Sequence, residues 1–147
     1  MKFLLDTNVV SELSRPNADA RLTAWASQLP EDKLFLSVIT VAEVRRGIAN
    51  LPPGKKRSDL DEWLRSGLLD RFRDRILGVT IGVAELWGLL AAHAKSKGIG
   101  FEVMDGFIAA TAIEHDLVVA TRNTRDFSAL DLKFINPWLS VQSGRSS

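Results

Sequence analysis

MKFLLDTNVVSE, residues 1–12, sets an aspartate directly after the first apolar run of the chain. Lys2–Leu5 has strand length, and Asp6, Thr7 and Asn8 stand where that strand ends. In an open parallel α/β sheet, ligands bind outside the carboxyl ends of the strands. The polar triplet is therefore placed to serve a ligand, provided that the rest of the chain builds such a sheet and brings further polar groups to Asp6.

Working outward, short apolar runs alternate with longer periodic ones. Leu34–Leu36, Arg75–Val79, Leu117–Ala120 and Lys133–Ile135 join Lys2–Leu5 as strands. Between them, Ala20–Leu29, Val38–Leu51, Ser58–Phe72, Val83–Lys97 and Gly106–His115 carry helical spacing. Leu60, Trp63, Leu64 and Leu68, for example, fall at i, i+3, i+4 and i+8. Alternating strands and helices predict an α/β domain with a central, mostly parallel sheet flanked by helices. LPPGKK (51–56) and KGIGFE (97–102) read as loops, because paired prolines or glycines stop a helix. One domain over 1–140 is expected, followed by a polar, disordered tail over 141–147.

Composition narrows the chemistry. At 147 residues the chain buries a core without staples, and the absence of cysteine excludes disulfide scaffolds, thiolate zinc sites and cysteine nucleophiles. Two histidines, His93 and His115, are too few for a histidine-rich metal site, so any metal would be a hard cation held by oxygen. The run ILGVTIGVAELWGLLAAHAK (76–95) is interrupted by Glu85 and three glycines. It reads as a strand and a buried helix, not as a membrane span. No secretory signal follows Lys2, so a cytoplasmic location is expected. Lys55–Arg75 holds seven basic and five acidic residues, the pattern of a solvated helix with internal ion pairs. The four tryptophans read as core or interface anchors.

The polar residues past each strand are the candidates. They are Asp6, Thr7 and Asn8; Ser37, Thr40 and Glu43; Asp105; and Thr121, Arg122, Asn123 and Asp126. Each acid has a plain local explanation. Asp6 and Asp105 suit helix N-caps, Thr40-x-x-Glu43 matches a capping box, and Asp126 suits a turn or a short helix through Leu130. Capping does not require acids from separate strands to meet at one edge of a sheet. Carboxylates gathered there repel one another, and a divalent cation relieves the repulsion. The pattern points to a Mg²⁺ or Mn²⁺ site.

LLDTNVVSEL, SVITVAEVRRG, MDGFIAATA and VVATRNTRDF, in this order and spacing, resemble the PIN-domain ribonucleases, and more narrowly the VapC/FitB-type toxins of bacterial toxin–antitoxin pairs. The resemblance runs from Met1 to the INPW segment, residues 135–138. It implies a metal-dependent endoribonuclease that hydrolyses RNA phosphodiester bonds and is restrained by a cognate antitoxin protein. It also implies a homodimer within a larger toxin–antitoxin assembly that meets operator DNA only through the antitoxin.

By position, Asp6, Glu43 and Asp105 would be the acidic metal ligands. The fourth acidic position falls to Asn123 or Asp126, since some relatives carry an aspartate where this chain has Asn123. Asn8 and Thr121 would orient the carboxylates, and Arg122 either contacts phosphate or lies on the surface. A phosphoacceptor receiver domain would want paired acids after the first strand and a lysine after the last. A haloacid-type phosphatase would want D-x-D where Asn8 stands. The remaining alternative is a catalytically weak PIN-fold binding module that acts in a repressor complex with an antitoxin.

Overall fold

The computed structural model describes residues 1–139. The tail expected over 141–147 lies outside the described residues.

Five strands form one sheet: β1 (Phe3–Leu5), β2 (Leu34–Ser37), β3 (Ile76–Leu77), β4 (Val118–Ala120) and β5 (Phe134–Ile135). Their order is β3-β2-β1-β4-β5, and every pairing is parallel. All five were expected from the apolar runs. The sheet winds one way from β1 through β2 to β3 and the other way through β4 to β5. The winding therefore reverses beside β1, the position at which open α/β sheets leave a crevice at the carboxyl edge.

The strands are buried on both faces, as parallel strands covered by helices must be. Alternation splits the core in two. Phe3, Leu5, Val118 and Ala120 face one layer with Val9, Leu22, Trp25, Leu36, Leu64 and Phe72. Leu4 and Val119 face the other with Ile108, Ala109, Ala112 and Phe127.

The helices are α1 (Thr7–Leu13), α2 (Ala20–Ser27), α3 (Val38–Ala49), α4 (Lys55–Glu62), α5 (Leu69–Arg71), α6 (Ile81–Ser96), α7 (Val103–Glu114) and α8 (Thr124–Ser128). A π-helical segment, Trp63–Leu68, joins α4 to α5, so the single helix expected over 58–72 is continuous but not uniform. Its Gly67 lies where a Cβ would meet the Trp63 indole at 3.3 Å. The ion pairs expected there are present, with Lys55 to Asp59 and Arg65 to Asp61 at i,i+4.

Three sequence expectations change. The helix expected from Gly106 starts at Val103, because Glu102 and not Asp105 is its N-cap and accepts from the Asp105 amide at 3.0 Å. Ser37, not Thr40, caps α3, accepting from the Ile39 amide at 2.9 Å. The helix over 83–97 is not buried: α6 covers only Val83 and Ala94, leaving Ile81 84% and Leu89 66% exposed. No helix of the described residues is long and apolar enough to cross a membrane. Trp25 and Trp138 are buried, whereas Trp63 and Trp87 are half-buried.

Candidate active site

Asp6 follows β1 and caps α1, accepting from the Thr7 amide through Oδ1 at 2.8 Å. The capping explanation for this residue thus holds, but it accounts for one oxygen. The other, Oδ2, accepts from Thr121 Oγ1 at 2.8 Å and from Asn8 Nδ2 at 3.3 Å. Asn8 also accepts the Arg122 amide through Oδ1 at 3.1 Å, and Thr121 Oγ1 accepts the Asn123 amide at 2.9 Å. The ends of β1 and β4, neighbours at the reversal of the sheet, are therefore bound together through the Asp6 carboxylate.

Glu43 lies in the second turn of α3, beyond the reach of capping. Its carboxylate accepts a short hydrogen bond from Thr7 Oγ1, with Thr40 Oγ1 3.4 Å from the same hydroxyl. This bond brings α3 to the start of α1. Asp105 lies in the first turn of α7 and Asp126 in the first turn of α8. Neither caps its helix. Of the four acids, the structure leaves Asp6 alone with a capping role.

The four acids are near enough for their charges to act on one another. Asp6 is 4% exposed. Burial raises its pKa, against the hydrogen bonds from Thr121 and Thr7, and the charges of Glu43 and Asp126 add to the rise. Burial also pushes Asp105 up to about 7, aided by the charges of Asp6, Glu102, Asp126 and Glu43. Among the described residues, no lysine, arginine or histidine forms an ion pair with Asp6, Glu43, Asp105 or Asp126. The Asp105 carboxylate also accepts no hydrogen bond among them. Among the described residues, no group of three or more aspartate, glutamate or histidine side chains is placed to hold a metal ion. The charges of these acids act on one another without a paired cation, and their donors are all oxygen, the donor type a hard divalent cation prefers.

The remaining candidates divide. Asn8 and Thr121 bind Asp6 directly. Asn123 is exposed and precedes α8, and its side chain makes no capping bond. Arg122 is exposed, with its guanidinium carbon 4.8 Å from the centre of the Trp138 ring. Arg45 turns away to Asp61 at 2.6 Å. A groove of about 1070 Å³ opens beside Glu43, with Arg15, Val44, Lys56 and Trp63 among its walls.

Reading the sequence left Thr7 and Glu102 without a role. The adjacency of Thr7 to Asp6 was a signal for the first. For Glu102 the signal was an acid three residues before Asp105, hidden because aspartate is the more usual cap.

With this geometry in view, the comparisons identify the class: residues 3–133 match the PIN domain model, and the chain belongs to the PIN domain family. Toxin FitB of Neisseria gonorrhoeae is 45% identical over 136 residues, 92% of this chain and 98% of that protein. VapC ribonuclease Y4jK of Sinorhizobium fredii is 41% identical over 92% of this chain and 97% of its own length. Among solved structures, FitAcB from Neisseria gonorrhoeae superposes with a TM-score of 0.87 at 44% identity, covering 93% of this chain and 99% of that one. FitAB bound to an IR36 DNA fragment follows at 0.86 and 43%, covering 92% and 95%.

Proposed function

We propose that this chain is the toxin of a toxin–antitoxin pair and a Mg²⁺- or Mn²⁺-dependent endoribonuclease. One observation carries the reading: Asp6 at the end of β1, Glu43 on α3, Asp105 on α7 and Asp126 on α8 act on one another's charge with no cation of the described chain paired to them. Keeping such charges together costs stability, and a function that binds a cation accounts for the cost. The relatives named as a toxin and as a VapC ribonuclease support the same assignment.

Asp6 and Asp105 would hold the ion, with Glu43 either a third ligand or the group that orients the attacking water. When bound, the ion polarises the phosphoryl oxygen and lowers the pKa of water. Asn8 and Thr121 keep the Asp6 carboxylate turned toward the cluster through their hydrogen bonds, the part played by residues behind a ligand shell. In the second of its two roles Glu43, held by Thr7, would orient the attacking water and take its proton. The P–O bond to the leaving oxygen then breaks, and that oxygen takes up a proton. The fourth position is filled by Asn123 or by Asp126, whose charge acts on Asp6 and Asp105. In that position Asn123 would supply only a neutral oxygen.

The partners are an RNA strand, a cognate antitoxin and a second copy of this chain, with operator DNA met only through the antitoxin. The exposed apolar side chains of α6 supply surface for a protein partner. The alternative is a catalytically weak binding module, favoured by Asn123 at the fourth position.

Cleavage of mixed RNA by antitoxin-free protein in Mg²⁺, Mn²⁺ or EDTA, beside an Asp6→Asn variant, tests the reading. Metal-dependent cutting that the variant loses supports the nuclease. Cutting that survives EDTA and the substitution refutes the mechanism. Folded protein that takes up no Mn²⁺ in calorimetry moves the assignment to the binding module.

A further inference from the structure

Arg122 and Trp138 leave the carboxyl ends of two adjacent strands. Arg122 lies two residues past β4, Trp138 three past β5, and the Thr121 amide donates to the Ile135 carbonyl at 3.0 Å between them. Trp138 is 3% exposed and its amide is fixed by Asn136 Oδ1 at 2.9 Å, so its ring is an immobile platform. The Arg122 guanidinium lies over that ring and is itself exposed. Its backbone is equally fixed, since the amide donates to Asn8, the residue that donates to Asp6.

Arg122 forms no ion pair among the described residues, and its guanidinium, held over the indole on an exposed residue, keeps its donors available. Beside a cluster of acids, such a cation has a clear use. An RNA backbone approaching unneutralised carboxylates is repelled, and a guanidinium held off the acids offers its donor fork to a phosphate.

We propose that Arg122 binds a backbone phosphate of the RNA strand next to the one at the acid cluster, and that Trp138 is the positioning residue that holds the guanidinium there. The proposal rests on the nuclease reading for the identity of the strand.

The test uses the full chain and a fluorescein-labelled single-stranded RNA of mixed sequence. Anisotropy in Ca²⁺ at several salt concentrations gives the Kd and its salt dependence, and cleavage in Mn²⁺ gives KM and kcat. Arg122→Gln is expected to raise Kd and KM about tenfold with kcat nearly unchanged, because the contact is the same in ground and transition states. The slope of log K against log salt should fall by about 0.7, the share of one phosphate contact on a single strand. Arg122→Lys recovers part of the affinity and all of the slope, and Trp138→Phe stays close to the parent. Trp138→Leu, where melting shows it folded, weakens binding although the charge remains.

If Arg122→Gln melts lower but binds RNA with unchanged Kd and slope, Arg122 only covers Trp138 and the proposal is overturned. RNA binding without cleavage overturns the nuclease reading alone, and the Kd comparison still decides the role of Arg122. A parent chain that binds no RNA overturns both.

Discussion

Thr121 donates to Asp6 Oδ2 at 2.8 Å across 115 residues of sequence, tying the end of β4 to the end of β1. Both groups are buried, so neither can turn to water for a substitute partner. Replacing the hydroxyl by a methyl in Thr121→Val leaves Asp6 short of a donor and orphans the Asn123 amide. The expected cost is about 1–3 kcal/mol of stability, read from urea unfolding. Metal affinity and cleavage should fall by roughly 10–100-fold, the usual effect of removing a residue that orients a ligand. Full activity in a folded Thr121→Val variant would contradict this account of the Asp6 site.

The acid cluster makes stability depend on pH in a direction opposite to that of most carboxylates. Asp105 moves from 3.8 in the ordinary case to about 7 in the fold. Between those values the folded chain keeps a proton that the unfolded chain has lost, so stability falls as pH rises through the window. Asp6, also raised, acts in the same sense. In EDTA the melting temperature should be higher at pH 5 than at pH 8, and Asp105→Asn should remove much of the difference. Asp19, Glu31 and Asp61 are held low by Arg21, Arg71 and Arg45. Their contribution is present above the unfolded carboxylate range of about pH 4 and is lost only as pH falls below it, outside that interval. A flat profile from pH 5 to pH 8 in metal-free protein would sink the raised Asp105 pKa that burial and the neighbouring acids produce.

Cation binding should reverse the same trend. Metal ligation requires the deprotonated carboxylate, so Mn²⁺ affinity is expected to rise with pH through about 7 as Asp105 ionises. Calorimetric titration at pH 6 and pH 8 reads the change directly, and equal affinities at the two would exclude Asp105 from the ligand set.

Thr7 separates the fold from the chemistry. Its hydroxyl donates to Glu43 between α1 and α3, and both residues are only partly buried. Thr7→Val should therefore cost little stability, on the order of 1 kcal/mol, while cleavage drops about 10–100-fold. Thr7→Ser keeps the donor and should keep most of the rate. Equal rates for the two variants would leave the hydroxyl without a catalytic role.

Gly106 controls where Asp105 sits. A Cβ at this position would collide with the Phe101 ring and stand 2.9 Å from Trp87 Nε1, the group that ties α6 to the Val103 carbonyl. Gly106→Ala should destabilise by about 1–3 kcal/mol through overpacking, despite the better helix propensity of alanine. The midpoint of urea unfolding measures it, and cleavage should decline with it because α7 carries Asp105. A midpoint at or above that of the parent would show that Phe101 and Trp87 yield without strain.

What the sequence by itself determined were the features that depend on near neighbours along the chain. Apolar runs and helical spacing placed all five strands and their intervening helices, because side-chain period is a local property of the backbone. Asp6 was legible as a site residue because a polar triplet directly ended the first strand. Which acid caps which helix was decided only by the tertiary structure. Capping belongs to the residue whose backbone leaves the helical region, and that depends on how the chain enters the helix from the sheet; hence Glu102 displaced Asp105 and Ser37 displaced Thr40. The exposure of Ile81 and Leu89 was likewise hidden, since an apolar run reads alike whether it faces this chain's core or open surface. Above all, the meeting of Asp6 with Thr121 follows from the strand order β3-β2-β1-β4-β5, which sets β4 beside β1. That neighbour relation joins residues more than a hundred positions apart, and no local pattern carries it.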